Sequence, residues 1–169
     1  LIANSEFIRK YPNAYAYLNK HKKDLSERDK GKKIYDEWYA YGRNQGMTKY
    51  KYKLFFPHIT NKIPNYTISK EENLLFYNGL AILSNEVESL KILKVIMSSR
   101  LFWFYITHTS KPYGSGYYSL SGNYIKSFGI YPFSSEQKKF LLSNATQEEL
   151  NAFIEELYGI NLNDIPVQS

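Results

Sequence analysis

The chain has 169 residues, a formal net charge of +6 and an aromatic content of 17%, to which 17 Tyr contribute most. This length fits one domain that is large enough to bury a hydrophobic core. The sequence holds no Cys, which excludes disulfides and thiolate zinc sites and favours a reducing compartment. No apolar run reaches the length that a transmembrane helix needs, so we expect no membrane span.

Positive charge is concentrated in the first third of the chain. Residues 1–60 hold 13 Lys or Arg against 6 Asp or Glu, whereas residues 134–169 hold 2 against 6. A basic N-terminal part with an acidic C-terminal part is typical of a protein that binds a polyanion. Alternatively, the Lys-rich helices are simply well solvated. The sequence does not begin with Met, and we expect it to be a segment of a longer protein.

The first half is predicted to hold a long helix followed by strands. Pro12 occupies the favoured first position of a helix, and Gly31 is a plausible end for it. Lys alternates with aromatic residues and Leu at the start of residues 50–59, which predicts a half-buried strand. A short second strand is predicted over residues 64–69.

A hairpin and a second long helix are predicted next. Asn78-Gly79 separates two apolar blocks, 74–77 and 80–83, and this dipeptide is a strong signal for a tight turn between paired strands. The helix is expected to begin near Asn85, with Glu88 placed to complete a capping box.

Two short helices are predicted to close the chain. Thr146-Gln147-Glu148-Glu149 forms a capping box for the last one, and Gly159 is its expected stop. Together these elements predict an α+β fold, in which a small irregular antiparallel sheet with hairpins is flanked by helices and followed by a helical C-terminal tail. We expect residues 136–169 to extend the same domain as residues 1–135.

No pattern in the sequence indicates catalysis or a metal site. His21, His58 and His108 are far apart and lack metal-ligand spacing. No Ser lies in a nucleophile elbow, and no Gly-rich loop precedes a helix as a phosphate-binding loop does. We therefore expect this chain to have no catalytic residue, no metal and no cofactor of its own.

The first of two candidate binding segments lies between residues 38 and 57. Its loop holds three side chains suited to bidentate hydrogen bonds with base edges: Arg43, Asn44 and Gln45. Lysines at alternate positions follow, and on a strand they project from one face and could contact phosphates: Lys49, Lys51 and Lys53. Alternatively, these lysines protect an edge strand from aggregation.

The second candidate segment runs from Lys111 to Tyr118. A Gly-x-Gly turn with adjacent Tyr rings can present aromatic surfaces to nucleic-acid bases. The candidate DNA-binding residues of this segment are Lys111, Ser115, Tyr117 and Tyr118. In the alternative interpretation, the Tyr side chains simply pack onto the domain.

An ordered set of motifs resembles a known family. The set begins with Trp38-Tyr39, Tyr41-Gly42-Arg43-Asn44-Gln45-Gly46 and Phe56-Pro57-His58-Ile59. It continues with Ser99-Arg100-Leu101-Phe102, Gly114-Ser115-Gly116-Tyr117, Tyr124-Ile125-Lys126 and Gly129-Ile130-Tyr131-Pro132. In this order, over about residues 10–135, the motifs resemble the TaqI-like C-terminal specificity domain. That domain is the target recognition domain of adenine-specific DNA methyltransferases and of fused type II restriction–modification enzymes.

The resemblance implies a function for residues 1–135, namely DNA target recognition. The chain would bind double-stranded DNA in a prokaryotic cytoplasm, beside an N-terminal methyltransferase domain of the same polypeptide. That domain would use S-adenosylmethionine. The resemblance leaves open whether the parent enzyme also has an endonuclease activity. The family's cofactor-binding Gly motif and Asn-Pro-Pro-aromatic motif do not occur in these residues. The alternative functions are a protein-interaction domain and a single-stranded nucleic-acid or RNA-binding module.

Overall fold

A computed structural model describes residues 1–42, 49–76 and 79–164, with only the backbone of Asp164. The chain divides into two compact units, Leu1–Gln45 and Gly46–Ser169. No helix in these described ranges is long and apolar enough to cross a membrane.

The first unit is helical. Its helices are α1 (Asn4–Lys10), α2 (Pro12–Lys20) and α3 (Lys22–Glu27), and a short 3-10 turn follows at Arg28–Gly31. Pro12 stands at the start of α2, which confirms the predicted helix start. The predicted long helix is interrupted at His21, whose backbone leaves the helical region (φ −105°, ψ 15°).

Aromatic rings hold this unit together, since none of α1 to α3 contains a buried residue. The Phe7 ring lies 4.9 Å from that of Tyr39 and 5.7 Å from that of Tyr15, measured between centroids. Trp38 packs edge-on against Tyr15 at 5.9 Å, and the Tyr39 hydroxyl donates to the carbonyl oxygen of Ile2 at 2.8 Å. The Trp38-Tyr39 motif therefore has a packing role.

The second unit contains two antiparallel sheets of three strands each. The strands are β1 (Tyr52–Phe56), β2 (Ile59–Thr60), β3 (Thr67–Ser69), β4 (Leu80–Ser84), β5 (Pro112–Tyr113) and β6 (Tyr117–Ser119). One sheet has the order β3-β1-β4 and the other β2-β6-β5. The predicted strand over residues 50–59 is therefore divided between the two sheets at Pro57-His58.

Strand β1 is the centre of its sheet. Leu54 lies opposite Ile68 of β3 on one side and opposite Ile82 of β4 on the other. Because a central strand has no free edge, the interpretation of Lys53, which lies in β1, as edge protection is wrong.

The predicted hairpin around Asn78-Gly79 is only half present. The second block is strand β4, but it pairs with β1 and not with the first block, since residues 74–76 form no strand. Tyr77 and Asn78 lie outside the described residues. Strand β4 therefore pairs with the central strand β1, which is distant in sequence, and not with residues 74–76 of the neighbouring block as predicted.

Helices cover both sheets and form the C-terminal region. They are α4 (Val87–Met97), α5 (Arg100–Thr109), α6 (Gly122–Ile125), α7 (Ser135–Leu141) and α8 (Gln147–Tyr158). These helices and the two sheets confirm the predicted α+β class. The predicted second helix is two helices, because Ser99 breaks the run and caps α5 by accepting a hydrogen bond from the Phe102 amide. The predicted capping box with Glu88 is wrong, since the N-cap residue of α4 is Glu86 and no side chain caps this helix.

Two neighbouring hydrophobic clusters form the core. The first joins β1 to α4 and α5 through Leu54, Leu90, Phe102 and Ile106. The second joins α4 to α7 and α8 through the buried side chains Ile96, Leu141, Leu150 and Ile154. Tyr118 of β6 packs on the first cluster, so both sheets share it.

A polar network fastens α8 to the start of α5. Arg100 makes a bidentate ion pair with the buried Glu155, with Nε–Oε1 at 2.8 Å and Nη2–Oε2 at 3.1 Å. The hydrogen bond to Glu155 raises the pKa of Arg100. Asn151, also buried, accepts from the Arg100 amide at 3.0 Å. The C-terminal helices are thus bonded to the same unit as the sheets. The proposed boundary at residue 135 stays a prediction.

Candidate nucleic-acid interface

The second candidate segment forms an exposed hairpin. Strands β5 and β6 pair with Pro112 opposite Tyr118 and Tyr113 opposite Tyr117, and Gly114–Gly116 makes the turn. Every residue from Lys111 to Tyr117 is exposed. The segment thus presents a continuous polar and aromatic surface to solvent.

The turn depends on left-handed backbone. Ser115 has φ 62° and Gly116 φ 72°, and only glycine adopts such angles without steric cost. The left-handed backbone therefore costs Gly116 no steric energy. Ser115 has the same backbone conformation at a steric cost, which the turn imposes. The result is that the Ser115 hydroxyl stands at the tip of the hairpin.

The two faces of the hairpin have different surroundings. On one face, Tyr118 is half-buried, and its ring packs edge-on against Trp103 of α5 at 5.9 Å. On the other face, Tyr113 and Tyr117 are cross-strand partners with 43% and 37% of their surface exposed. Of the predicted residues here, Tyr118 thus serves packing, while Lys111, Ser115 and Tyr117 face solvent.

The three predicted lysines of the first segment lie in different surroundings. Lys49 and Lys51 are exposed just before β1, and the Lys51 ammonium lies 5.4 Å from the centre of the Tyr52 ring. Lys53 is fully buried. Its ammonium donates to the carbonyl oxygens of Tyr50, Glu71 and Glu72 at 2.8, 2.8 and 3.1 Å. Lys53 therefore has no exposed surface that could contact a phosphate. Its hydrogen bonds connect the start of β1 to the turn at Glu71 and Glu72.

The predicted base-reading residues Arg43, Asn44 and Gln45 lie outside the described residues. Their flank is described up to Gly42, whose carbonyl oxygen accepts a hydrogen bond from the Lys33 ammonium at 2.9 Å. The two candidate segments are not joined in one sheet, since β1 and the β5–β6 hairpin belong to different ones. Among the described residues, Leu54 of β1 and Tyr118 of the hairpin belong to the same hydrophobic cluster.

No protein-family model and no curated protein matches the chain. The resemblance to the TaqI-like specificity domain accordingly stays a prediction.

Two cavities lie elsewhere in the residues that the structure describes. A groove of about 800 Å³ in the first unit is lined mainly by apolar side chains, with Arg28 among them. A smaller apolar cleft of about 180 Å³ lies between α4 and residues 125–130. Within the described ranges, no group of three or more His, Cys, Asp or Glu could hold a metal ion.

One candidate residue was missed in the sequence. Tyr113 was not among the residues predicted to bind DNA, yet it stands directly opposite Tyr117 and is the more exposed of the two. The signal was present, because a three-residue Gly-Ser-Gly turn makes the residues on its two sides cross-strand partners.

Proposed function

We propose that this chain binds double-stranded DNA as the target recognition domain of an adenine-specific DNA methyltransferase. The observation that carries the proposal is the exposed β5–β6 hairpin, which presents Lys111, Tyr113, Ser115 and Tyr117 to solvent. In this proposal the methyl transfer belongs to an N-terminal domain of the same polypeptide in a prokaryotic cytoplasm. That domain would bind S-adenosylmethionine.

The two-stranded form of the hairpin supports binding to a duplex. A two-stranded ribbon fits the major groove of B-form DNA, where base edges display their hydrogen-bonding groups. The Ser115 hydroxyl at the tip can donate or accept a hydrogen bond, which suits either kind of base edge. Lys111 at the base of the ribbon is exposed and can contact a phosphate.

Charge supports the same partner. Residues 1–60 carry a net charge of +7, from 13 basic and 6 acidic residues. Lys49 and Lys51 are exposed and belong to this excess. Such an excess of positive charge attracts the phosphate backbone without regard to sequence and supplies most of the affinity for random DNA. Reading of the bases is assigned in this proposal to Arg43, Asn44, Gln45 and the hairpin tip.

Binding of a labelled random duplex, followed by fluorescence anisotropy at low salt, tests the proposal. We expect weak binding, since non-specific dissociation constants are about 10⁻⁴ to 10⁻⁶ M at physiological salt. Unlabelled duplex should compete, whereas unlabelled single strand and an acidic protein should compete poorly. Stronger competition by the single strand would favour a single-stranded nucleic-acid function, and stronger competition by the acidic protein a protein-interaction function.

The parent enzyme allows a sharper test of base reading. Alanine at Asn44 or Gln45 is expected to cost about 1–3 kcal/mol of binding free energy at the cognate site and little on random DNA. Alanine at Lys51 should weaken binding to both DNAs alike. Equal losses on both DNAs for the Asn44 and Gln45 variants would contradict base reading by this loop.

A further inference from the structure

Tyr113 and Tyr117 differ from the packed tyrosines of this unit. Tyr118 packs on Trp103, Tyr105 donates to the Tyr124 carbonyl, and Tyr158 bonds to residues 129 and 131. In the part of the chain that the structure describes, neither Tyr113 nor Tyr117 has a ring contact or a hydroxyl hydrogen bond. Two neighbouring aromatic faces are therefore available to a ligand.

The hairpin holds these two rings on one face. Direct cross-strand partners have Cβ atoms about 5 Å apart and project to the same side of the ribbon. On the opposite side, Tyr118 fixes the ribbon to α5 through Trp103. The exposed pair thus stands on a supported strand and loses little freedom when a planar group stacks on it.

A paired duplex offers little for such rings to stack on. Inside the helix each base face is covered by its neighbours, and only base edges reach the grooves. An unpaired nucleotide can leave the stack at a small cost, and its exposed face can then stack on an aromatic side chain. The ring pair therefore suits a duplex in which one base has no pairing partner.

We propose that the Tyr113–Tyr117 face binds an unpaired nucleotide within a DNA duplex. The inference rests on the proposed duplex-binding function and names the form of duplex that this hairpin prefers. Lys111, two residues from Tyr113 and exposed, lies where it can contact the phosphate beside that nucleotide. Stacking carries the preference, and the lysine adds affinity for any DNA.

The test compares three labelled DNAs in anisotropy titrations of the 169-residue chain. These are a fully matched duplex, the same duplex with one unpaired adenine, and the corresponding single strand. Stacking of one base predicts about tenfold tighter binding to the duplex with the unpaired adenine than to the matched duplex. Alanine at Tyr113 or at Tyr117 should reduce that ratio towards one, because the loss of affinity is larger on the duplex with the unpaired adenine than on the matched duplex.

Two further variants separate stacking from other causes. Tyr113→Phe keeps the ring and should keep the preference, because the hydroxyl is not needed for stacking. Tyr17→Ala removes a tyrosine that is 63% exposed in the first unit and should also keep it. The ratio is measured on one preparation, so a partial loss of folded protein weakens binding to both duplexes alike.

The outcomes distinguish this inference from the proposed function. Equal affinity of the wild-type chain for the two duplexes overturns the inference and leaves duplex binding standing. A preference that survives both alanine substitutions also overturns it. Tightest binding to the single strand overturns it as well, because the duplex context is then not needed. Failure to bind any duplex at low salt overturns the proposed function and the inference together.

Discussion

The ammonium of Lys53 donates a hydrogen bond of 2.8 Å to the carbonyl oxygen of Glu71, although Lys53 has no exposed surface. A second bond of 3.1 Å to the Glu72 carbonyl and a third of 2.8 Å to that of Tyr50 complete its donors. A lysine side chain thus joins the start of β1 to a turn that lies 18 residues further along the chain. Lys53 is a structural residue of this fold.

Replacing Lys53 should therefore change stability. Lys53→Met keeps the length of the apolar stem and removes all three hydrogen bonds. Because bonds from a charged donor are stronger than neutral ones, we expect the free energy of unfolding to fall by about 2 kcal/mol. Urea denaturation measures it. Lys51→Met, at an exposed site two residues away, is the matched control and should lie within about 0.5 kcal/mol of wild type. Equal stability of the two variants would contradict a structural role for Lys53.

The hydroxyl of Tyr66 is expected to be a stability defect. The residue is 4% exposed, and its hydroxyl has no hydrogen-bond partner among the described residues. Leaving a buried donor unpaired is costly, so Tyr66→Phe should raise the free energy of unfolding by about 1 kcal/mol. Tyr158→Phe should lower it, because that hydroxyl donates to the Gly129 carbonyl and accepts from the Tyr131 amide.

Alkaline pH gives a second readout for the same hydroxyl. Burial raises the pKa of Tyr66 above its ordinary value of 10.0. The unfolded chain then releases this proton at a lower pH than the folded chain does. Stability from this group is fully present below pH 10.0 and is lost as the pH rises towards the raised pKa. Above pH 10.0, the free energy of unfolding of Tyr66→Phe should therefore fall less steeply than that of the wild type. A steeper loss in the variant would be the contrary result.

Acid should weaken the start of α8. Hydrogen bonds from the backbone and side chain of Thr146 hold the pKa of Glu149 below its ordinary value of 4.5. The stability from this carboxylate is present above pH 4.5 and is lost as the pH falls through the lowered pKa. Glu149→Gln keeps an oxygen acceptor but cannot titrate. The Tm difference between variant and wild type should thus shrink from neutral to acid pH, and a constant difference would contradict the linkage.

Substitutions at the three residues of the β5–β6 turn should change the stability of the protein by different amounts. Gly116→Ala places a Cβ at φ 72° and should cost about 1–2 kcal/mol, because left-handed backbone is unfavourable for L-residues. Ser115→Gly, at φ 62°, should have the opposite sign. Gly114→Ala is the control, since an added Cβ there meets no atom within 4 Å and the backbone is not left-handed. Thermal unfolding compares the three, and equal effects of the two alanines would rule out backbone strain.

Helix ends that depend on a few neighbouring residues could be predicted from the sequence. Pro12 opens α2, the capping box at Thr146 opens α8, and Gly159 ends it at φ 65°. Each depends on a few neighbouring residues, so spacing alone predicts it. The α+β class followed from such local signals.

Features that depend on distant partners could not be read in this way. Alternation placed Lys53 on a strand face but could not show that a turn at Glu71 covers that face. Asn78-Gly79 favoured a local hairpin, yet β4 pairs with β1, which is 24 residues or more away in sequence. At the candidate site, the exposure of Lys111 and Tyr117 was predictable from their turn. The burial of Tyr118 follows from Trp103 on another element.

The salt dependence of binding to a random duplex tests the central claim most directly. Binding is expected at low salt, with the logarithm of the affinity falling linearly with the logarithm of salt concentration. Lys111→Ala should lower that slope by about 0.9, because the variant neutralises one phosphate fewer. Lys139→Ala, an exposed lysine of α7 outside the proposed interface, should leave it unchanged. A folded chain that binds no duplex at low salt, or equal slopes for wild type and Lys111→Ala, would contradict the account.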